Sequence, residues 1–286
     1  MPVEGQKLPI RARNVARATA ARPLLLALCL ALGPAAFAAN RALQVYDVPT
    51  AEHLARTLYD QERRVGIASE MVRDYYDPEQ ERIVGFVTQQ HADGLTVRFI
   101  RAGADGLEPV IDAVFDRELL LPALKAVAGE HLSPAEVAQA KARQQVASDV
   151  QSRCNGRYNT LVTTEPAGKR LLVYGIGISD TPDRIMVGGH VRFTVSADGE
   201  RIERVEPLSS TCAVVGRDQF DSAADSEGTK GVGMRSPLAD VPLETHALMS
   251  LLYDVPLFVM TADKAMWKVQ QGKMTKVKGK PGEAAK

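Results

Sequence analysis

Apolar and polar residues alternate with two different periods along this chain, and these periods predict its helices and strands. Between Thr50 and Asp77, apolar residues recur every three to four positions, which predicts an amphipathic helix. Thr50 is the predicted N-cap, because its hydroxyl can accept from a backbone N–H that lacks a helical partner. Asp77-Pro78 ends the helix, since a proline disfavours helical geometry in the residue before it.

A period of two follows the helix. Residues 82–88, 95–101 and 110–115 are strand-like, and Asp93-Gly94 and Asp105-Gly106 separate them. Asp-Gly suits tight hairpins because glycine tolerates the positive φ that these turns require. The pattern predicts an antiparallel β-meander.

Ser133-Pro134-Ala135-Glu136 is the strongest local signal in the chain. It combines a capping box with a proline at the first helical position, where the missing N–H costs nothing. The predicted helix runs to about Val150 and connects two lobes.

The stretch between Cys154 and Cys212 carries the longest strand-like runs. Residues 158–164 and 169–178 form one predicted pair, and residues 191–195 and 201–206 form another. Residues 169–178 are apolar on both faces, which is typical of a central strand. In residues 191–195 the polar and apolar positions alternate, which places Arg192 and His190 on a solvent-facing side.

The C-terminal part changes character twice. Residues 216–242 are polar, glycine-rich and aperiodic, which predicts a long loop that is either functional or mobile. Residues 246–252, 257–261 and 265–269 are predicted strands. Residues 272–286 are lysine-rich with no apolar pattern, which predicts a disordered basic tail.

Together these elements predict an α+β fold of antiparallel β-meanders packed with two main helices. We divide it into an N-terminal lobe at residues 39–150 and a β-rich C-terminal lobe at residues 151–271. Val97-Arg98-Phe99 and Val191-Arg192-Phe193 each precede an Asp-Gly turn. An internal duplication explains this echo, and two unrelated hairpins explain it equally well.

The N-terminal 38 residues have the organisation of a signal peptide. Five basic residues precede an apolar run at residues 24–32, and Ala36-Phe37-Ala38 supplies the small-x-small pattern for cleavage after Ala38. The run is short for a membrane span, which needs about 20 apolar residues. Cleavage predicts a periplasmic or secreted protein with no stable membrane span, and retention of the segment as an anchor is the alternative.

Removal of this leader changes the charge balance. The full chain has 35 basic and 35 acidic residues, of which the leader takes five and one, so 30 and 34 remain. A net charge of −4 argues against a nucleic-acid partner, since such domains are usually basic.

Cys154 and Cys212 are the cysteines that lie outside the leader. In an oxidising compartment such a pair is most simply a structural disulfide. A redox-active pair would typically be Cys-x-x-Cys, and that motif is absent.

Recognisable catalytic and cofactor motifs are missing from the sequence. We find no HExxH, no Gly-x-Ser-x-Gly, no phosphate loop and no complete EF-hand loop. Gly175-x-Gly177 lies inside a predicted strand, which excludes a dinucleotide fingerprint. We therefore predict no cofactor and no metal, and His190 and His246 are the candidates for a catalytic base.

Two functions are compatible with these observations. The first is a non-catalytic binding or envelope-associated accessory protein, whose partner is a protein or another envelope component. The second is an exported hydrolase whose site assembles from dispersed residues, with His190 or His246 as the base. In either case we expect the active surface on the 216–242 loop.

Overall fold

The computed structural model describes residues 42–104, 106–116, 121–154, 157–166, 168–179, 181 and 183–277. The predicted leader and its cleavage site after Ala38 lie outside the described residues. No helix within these ranges is long and apolar enough to cross a membrane. From Ala42 onward the chain forms one compact unit.

Three α-helices lie within the described ranges: α1 (Val48–Tyr75), α2 (Pro134–Gln151) and α3 (Glu244–Leu252). The α1 N-cap is Asp47 and not the predicted Thr50, because the Asp47 carboxylate accepts from the Thr50 N–H at 2.9 Å. The capping box of α2 is confirmed. Its Ser133 Oγ accepts from the Glu136 N–H, and Glu136 Oε2 accepts from the Ser133 N–H at 2.7 Å.

Fifteen strands lie within the same ranges. They are β1 (Ile83–His91), β2 (Gly94–Gly103), β3 (Gly106–Asp116), β4 (Ala123–Ala126), β5 (Arg157–Thr164), β6 (Leu171–Ile178), β7 (Arg184–Met186), β8 (Val191–Val195), β9 (Ile202–Pro207), β10 (Val214–Gly216), β11 (Ala223–Ala224), β12 (Lys230–Arg235), β13 (Leu257–Met260), β14 (Met266–Gln270) and β15 (Lys273–Lys276).

Two four-stranded antiparallel sheets form the body of the fold, in the orders β1-β2-β3-β4 and β5-β6-β8-β9. The α+β prediction and its antiparallel meanders are confirmed. A smaller sheet has the order β11-β12-β13-β14-β15, and in it β12 runs parallel to β13. The predicted sheets contained no parallel pair, because β12 lies in the segment that was assigned to the loop.

Helices α1 and α2 cover the two large sheets from opposite sides. The apolar face of α1 packs with Leu161 of β5 through Leu58, and with Val97 of β2 through Ala68. On the other side, Val146 of α2 packs with Phe193 of β8. The two sheets therefore share both helical layers, which brings the outer edges of β1 and β5 into the same region.

Three predictions for the C-terminal part are wrong. Residues 216–242 contain β11, β12 and a 3-10 turn at Arg217–Gln219, so they are not one long loop. Residues 246–252 belong to α3 and not to a strand. An apolar run of this length fits either element, and here both sides of the helix are buried.

The predicted disordered tail begins with an ordered strand. Residues Lys273–Lys276 form β15, which pairs with β14, and the Met274 N–H donates to Glu52 Oε1 at 2.9 Å. A strand this short with alternating lysines has little apolar pattern, so its order depends on its neighbours. The remainder of the predicted tail, from residue 278, lies outside the described residues.

One arginine in each large sheet pairs both with an acidic residue on the neighbouring strand and with an acidic residue in the first turn of a helix. Arg98 binds Asp112 on the neighbouring strand and also Glu136 in the first turn of α2. Arg192 likewise binds Glu206 on the neighbouring strand and Glu244 in the first turn of α3. The shared ion-pair pattern supports the duplication hypothesis. The match between the two sheets is incomplete, because Arg98 lies on the second strand of its sheet and Arg192 on the third.

Candidate functional site

The two candidate histidines are buried. His190 is 2 % exposed and His246 is 4 % exposed, so the predicted solvent-facing position of His190 is wrong. Strand β8 is covered on both faces: α2 packs on one side, and on the other Arg192 contacts Tyr46 and Glu244 of α3. In β8, the alternation of polar and apolar residues therefore does not distinguish a solvent-facing side from a buried side.

Each histidine ring is fixed through its Nδ1 atom. His190 Nδ1 accepts from the Gly177 N–H at 3.2 Å, and His246 Nδ1 accepts from the Leu243 N–H at 2.8 Å. Burial lowers the pKa of both to about 4, and for His190 the nearby His246 lowers the pKa further. Both rings are therefore neutral at neutral pH, and the lone pair that a general base would use is already bonded to the backbone.

The cysteines form the predicted disulfide, Cys154–Cys212, with a Cα–Cα distance of 5.6 Å. Gly189 packs directly on it with φ +82°, and a Cβ at this position would lie 2.6 Å from Cys154 Sγ. Glycine is therefore required for the close approach. The adjoining hollow of 190 Å³ includes His190 and Ser209, but Ser209 Oγ donates to the Thr211 carbonyl at 2.9 Å.

Arg192 is fully buried, contrary to its predicted solvent-facing position. It donates to Glu206 at 3.0 Å and to Glu244, and it lies over the Tyr46 ring at 4.8 Å from the centroid. Burial would lower the pKa of Arg192, but the two carboxylates hold it above its ordinary value. Arg192 Nη2 also donates to the Gln44 carbonyl. The ion pairs of Arg192 therefore anchor the segment that precedes α1, which is a structural role.

The most developed cleft lies between the facing edges of β1 and β5. We call it the β1–β5 cleft and define it by residues 84–86 of β1 and 158–160 of β5. The two strands belong to separate sheets and form no ladder with each other in the described parts of the chain. At the closed end, Gln61 of α1 donates to Thr88 Oγ1 at 2.5 Å and to the Val162 carbonyl at 3.1 Å.

Side chains from α2 also satisfy the backbone of these edges. Gln139 accepts from the Thr88 N–H at 3.1 Å and donates to the Thr88 carbonyl at 2.8 Å, as a neighbouring strand would. Arg143 Nη1 donates to the carbonyl and to Oγ1 of Thr160. The edges are thus held apart by helix side chains instead of being paired.

The cleft opens on both faces of the sheet layer. Its α1 side has a volume of 440 Å³ and its α2 side 470 Å³, and the two share Phe86, Tyr158 and Thr160. The α2 side is mainly apolar. Its further lining residues include Val84, Ile100, Leu107, Ala140, Ala147 and Val150.

Four charged side chains line the cleft: Glu62, Glu70 and Arg73 on the α1 side and Arg143 on the α2 side. Arg143 stacks on Phe86, with its Cζ atom 4.2 Å from the ring centroid. Glu62 on the α1 side accepts from Asn159 Nδ2, and burial raises the pKa of its carboxyl. Burial lowers the pKa of Arg143 to about 10, while the attraction of Glu62 opposes this shift.

A larger concavity of 610 Å³ lies beside β14 and β15. Its polar groups satisfy each other, since Lys268 Nζ donates to Asp225 at 2.7 Å and to Thr229 at 2.9 Å. It carries no buried polar group that lacks a partner. The predicted active surface at residues 216–242 borders this concavity through Asp225 and stays a prediction.

The described residues contain no cluster of three or more His, Cys, Asp or Glu side chains suited to a metal ion. Sequence reasoning missed Glu62, Phe86, Arg143 and Tyr158 as site residues. The helix that carries Arg143 was predicted only as a connection between two lobes, and no spacing in the sequence connects these four positions.

Comparison with known proteins identifies no relative. No protein-family model matches the chain, and neither a curated protein nor a solved structure shows significant similarity to it. The functional argument therefore depends on the site itself.

Proposed function

We propose that this protein is an exported binding protein that holds a small, largely apolar molecule in the β1–β5 cleft. The observation that carries the proposal is that β1 and β5 face each other without pairing, and that their edges border a mainly apolar cavity of 470 Å³. Ligand sites typically have volumes of about 300–1,000 Å³, with apolar walls and a few placed polar groups.

The hydrogen bonds around the cleft favour a gap between β1 and β5 that stays open. Gln61 and Gln139 bond both edges only at the closed end, and beyond it β1 and β5 change from buried residues to half-buried ones. Protein interiors are otherwise close-packed, and unfilled volume is destabilising. Val84 and Leu107 at the rim are exposed apolar side chains, which favours an apolar ligand.

Export is supported by the N-terminal pattern and by the disulfide, because such bridges persist in oxidising compartments. The acidic balance of the chain after the leader opposes a nucleic-acid ligand. The hydrolase alternative receives no support from the histidines, whose Nδ1 atoms are bonded to backbone N–H groups.

The test is fluorescence titration with N-phenyl-1-naphthylamine, a neutral apolar probe that brightens when it leaves water. We expect saturable binding by the exported protein. Ala147→Trp fills the α2 side of the cleft and should weaken binding at least about tenfold.

Ser148→Trp is the matched control, because Ser148 is an exposed neighbour on α2 that does not line the cleft. This variant should bind the probe as the wild type does. An absence of binding by the wild type, or an equal loss in the two variants, would overturn the proposal.

A further inference from the structure

Arg143 is a half-buried arginine whose hydrogen-bonding capacity is only partly used. Its Nη1 atom donates to the Thr160 carbonyl and, at 2.9 Å, to Thr160 Oγ1. Its Nε and Nη2 atoms are buried and have no acceptor among the described residues. A buried donor without an acceptor is costly, most of all when it belongs to a charged group.

The Nε and Nη2 atoms form one edge of the guanidinium, and this edge has a defined chemical preference. Arg98 uses the same two atoms to bind both carboxylate oxygens of Asp112, at 2.7 Å each. Arg170 does the same with Glu165, at 2.8 and 2.7 Å. In this chain, two other arginines therefore bind a carboxylate along the edge that is without an acceptor in Arg143.

Among the described residues, no carboxylate pairs with Arg143. Glu62 attracts it through space, but the two side chains form no ion pair within 4.0 Å. The ring of Phe86 and the Thr160 oxygens hold the guanidinium in one orientation. The edge is thus fixed before any ligand arrives, which lowers the entropic cost of binding.

The wall beside this edge is apolar. Arg143 lines the α2 side of the cleft together with Val84, Ile100 and Leu107. A ligand that matches both features carries an anionic carboxylate at one end and a hydrocarbon body behind it.

We propose that the Nε–Nη2 edge of Arg143 binds the carboxylate of a small amphipathic acid whose hydrocarbon chain occupies the α2 side of the β1–β5 cleft. This inference rests on the proposed function and specifies its ligand class.

The test is displacement of N-phenyl-1-naphthylamine by octanoate and by methyl octanoate, which carry the same eight-carbon acyl chain. Octanoate should displace the probe from the wild type at a concentration at least about tenfold lower than its uncharged methyl ester requires. This comparison needs no variant. Equal potency of the acid and the ester would overturn the inference.

Arg143→Met should abolish the advantage of octanoate over methyl octanoate. Lys141→Met removes a positive charge from an exposed site on the same helix and should keep the full advantage. An advantage that persists in Arg143→Met, or disappears equally in both variants, would refute a specific role for Arg143.

The two proposals fail in different ways. If the wild type does not bind the probe, the proposed function is wrong. If the probe binds and Ala147→Trp blocks it, but the acid and the ester compete equally, only the carboxylate inference is wrong.

Discussion

Arg192 of β8 and Glu244 of α3 form a fully buried ion pair that connects the second large sheet to the first turn of the last helix. Tyr174 donates to the same Glu244 oxygen at 3.0 Å, so a carboxylate at this position organises two donors. Taking charged groups out of water is costly, and each partner makes the burial of the other tolerable.

Replacing Glu244 by glutamine should therefore lower the free energy of unfolding by about 3–5 kcal/mol, because Arg192 loses one of its two buried partners. Urea unfolding measures the change. Glu200→Gln is the control, since the Glu200–Lys141 pair is exposed and should contribute less than about 1 kcal/mol. Similar losses in the two variants would contradict the dominant role of the buried pair.

Stability should also depend on pH through His190 and His246. Burial lowers the folded-state pKa of each to about 4, whereas an unfolded histidine titrates near about 6.5. Between these values the unfolded chain binds more protons, so stability is fully present above about pH 6.5 and declines as the pH falls toward 4. Each histidine accounts for about 3 kcal/mol of this decline.

His246→Asn tests this pH dependence, because the amide oxygen can replace Nδ1 as an acceptor but does not titrate. The loss of unfolding free energy between pH 7 and pH 4 should be smaller in the variant by about 3 kcal/mol. An unchanged loss would mean that the folded-state pKa of His246 is not lowered from its unfolded value.

The disulfide closes a loop with a sequence separation of 58 residues. Loss of a bridge across such a loop should lower the free energy of unfolding by about 4 kcal/mol in the chain-entropy model. The double variant Cys154→Ala/Cys212→Ala, compared with the oxidised wild type by urea unfolding, measures this contribution. Two reactive thiols in the exported protein under non-reducing conditions would contradict the bridge itself.

Gln61 should determine whether the closed end of the cleft stays closed. Gln61→Met keeps the side-chain volume but removes both hydrogen bonds across the gap, leaving the Val162 carbonyl without this donor. We expect a loss of about 1–3 kcal/mol and faster amide exchange in β1 and β5. Gln145→Met on the exposed surface of α2 should change neither quantity.

Arg143 should behave unlike Arg98 when it is removed. Arg143→Met retains packing against Phe86, and removal of an incompletely paired charge offsets the loss of the hydrogen bonds to Thr160, so the unfolding free energy should change by less than about 1 kcal/mol. Arg98→Met leaves Asp112 and Glu136 without their partner and should cost at least about 3 kcal/mol. Equal costs would indicate that Arg143 has only a structural role.

Local features of the fold were predicted where neighbouring residues determine them. The α2 helix was predicted because Ser133, Pro134 and Glu136 satisfy its first turn within four positions. The disulfide followed from the presence of two cysteines after the leader. Prediction failed at α1 only in the cap, because Asp47 and Thr50 are both competent and the chain geometry selects Asp47.

The failures share one cause, which is burial that the sequence does not display. Arg192 lies on β8 and His190 directly precedes it; the strand shows apparent alternation, yet all of its residues are buried. The segment of α3 was assigned as a strand for the same reason. A short apolar run indicates that a segment is buried, but it does not distinguish a helix from a strand.

The sequence by itself determined the α+β class, the hairpins, helix α2 and the disulfide, because local backbone preferences and a single cysteine pairing specify them. Only the tertiary structure decided the β1–β5 cleft, since its walls come from two strand edges in different sheets and from two helices. Hydrogen bonds from Gln61, Gln139 and Arg143 keep these edges apart, and such contacts between distant segments leave no periodic signal in the chain.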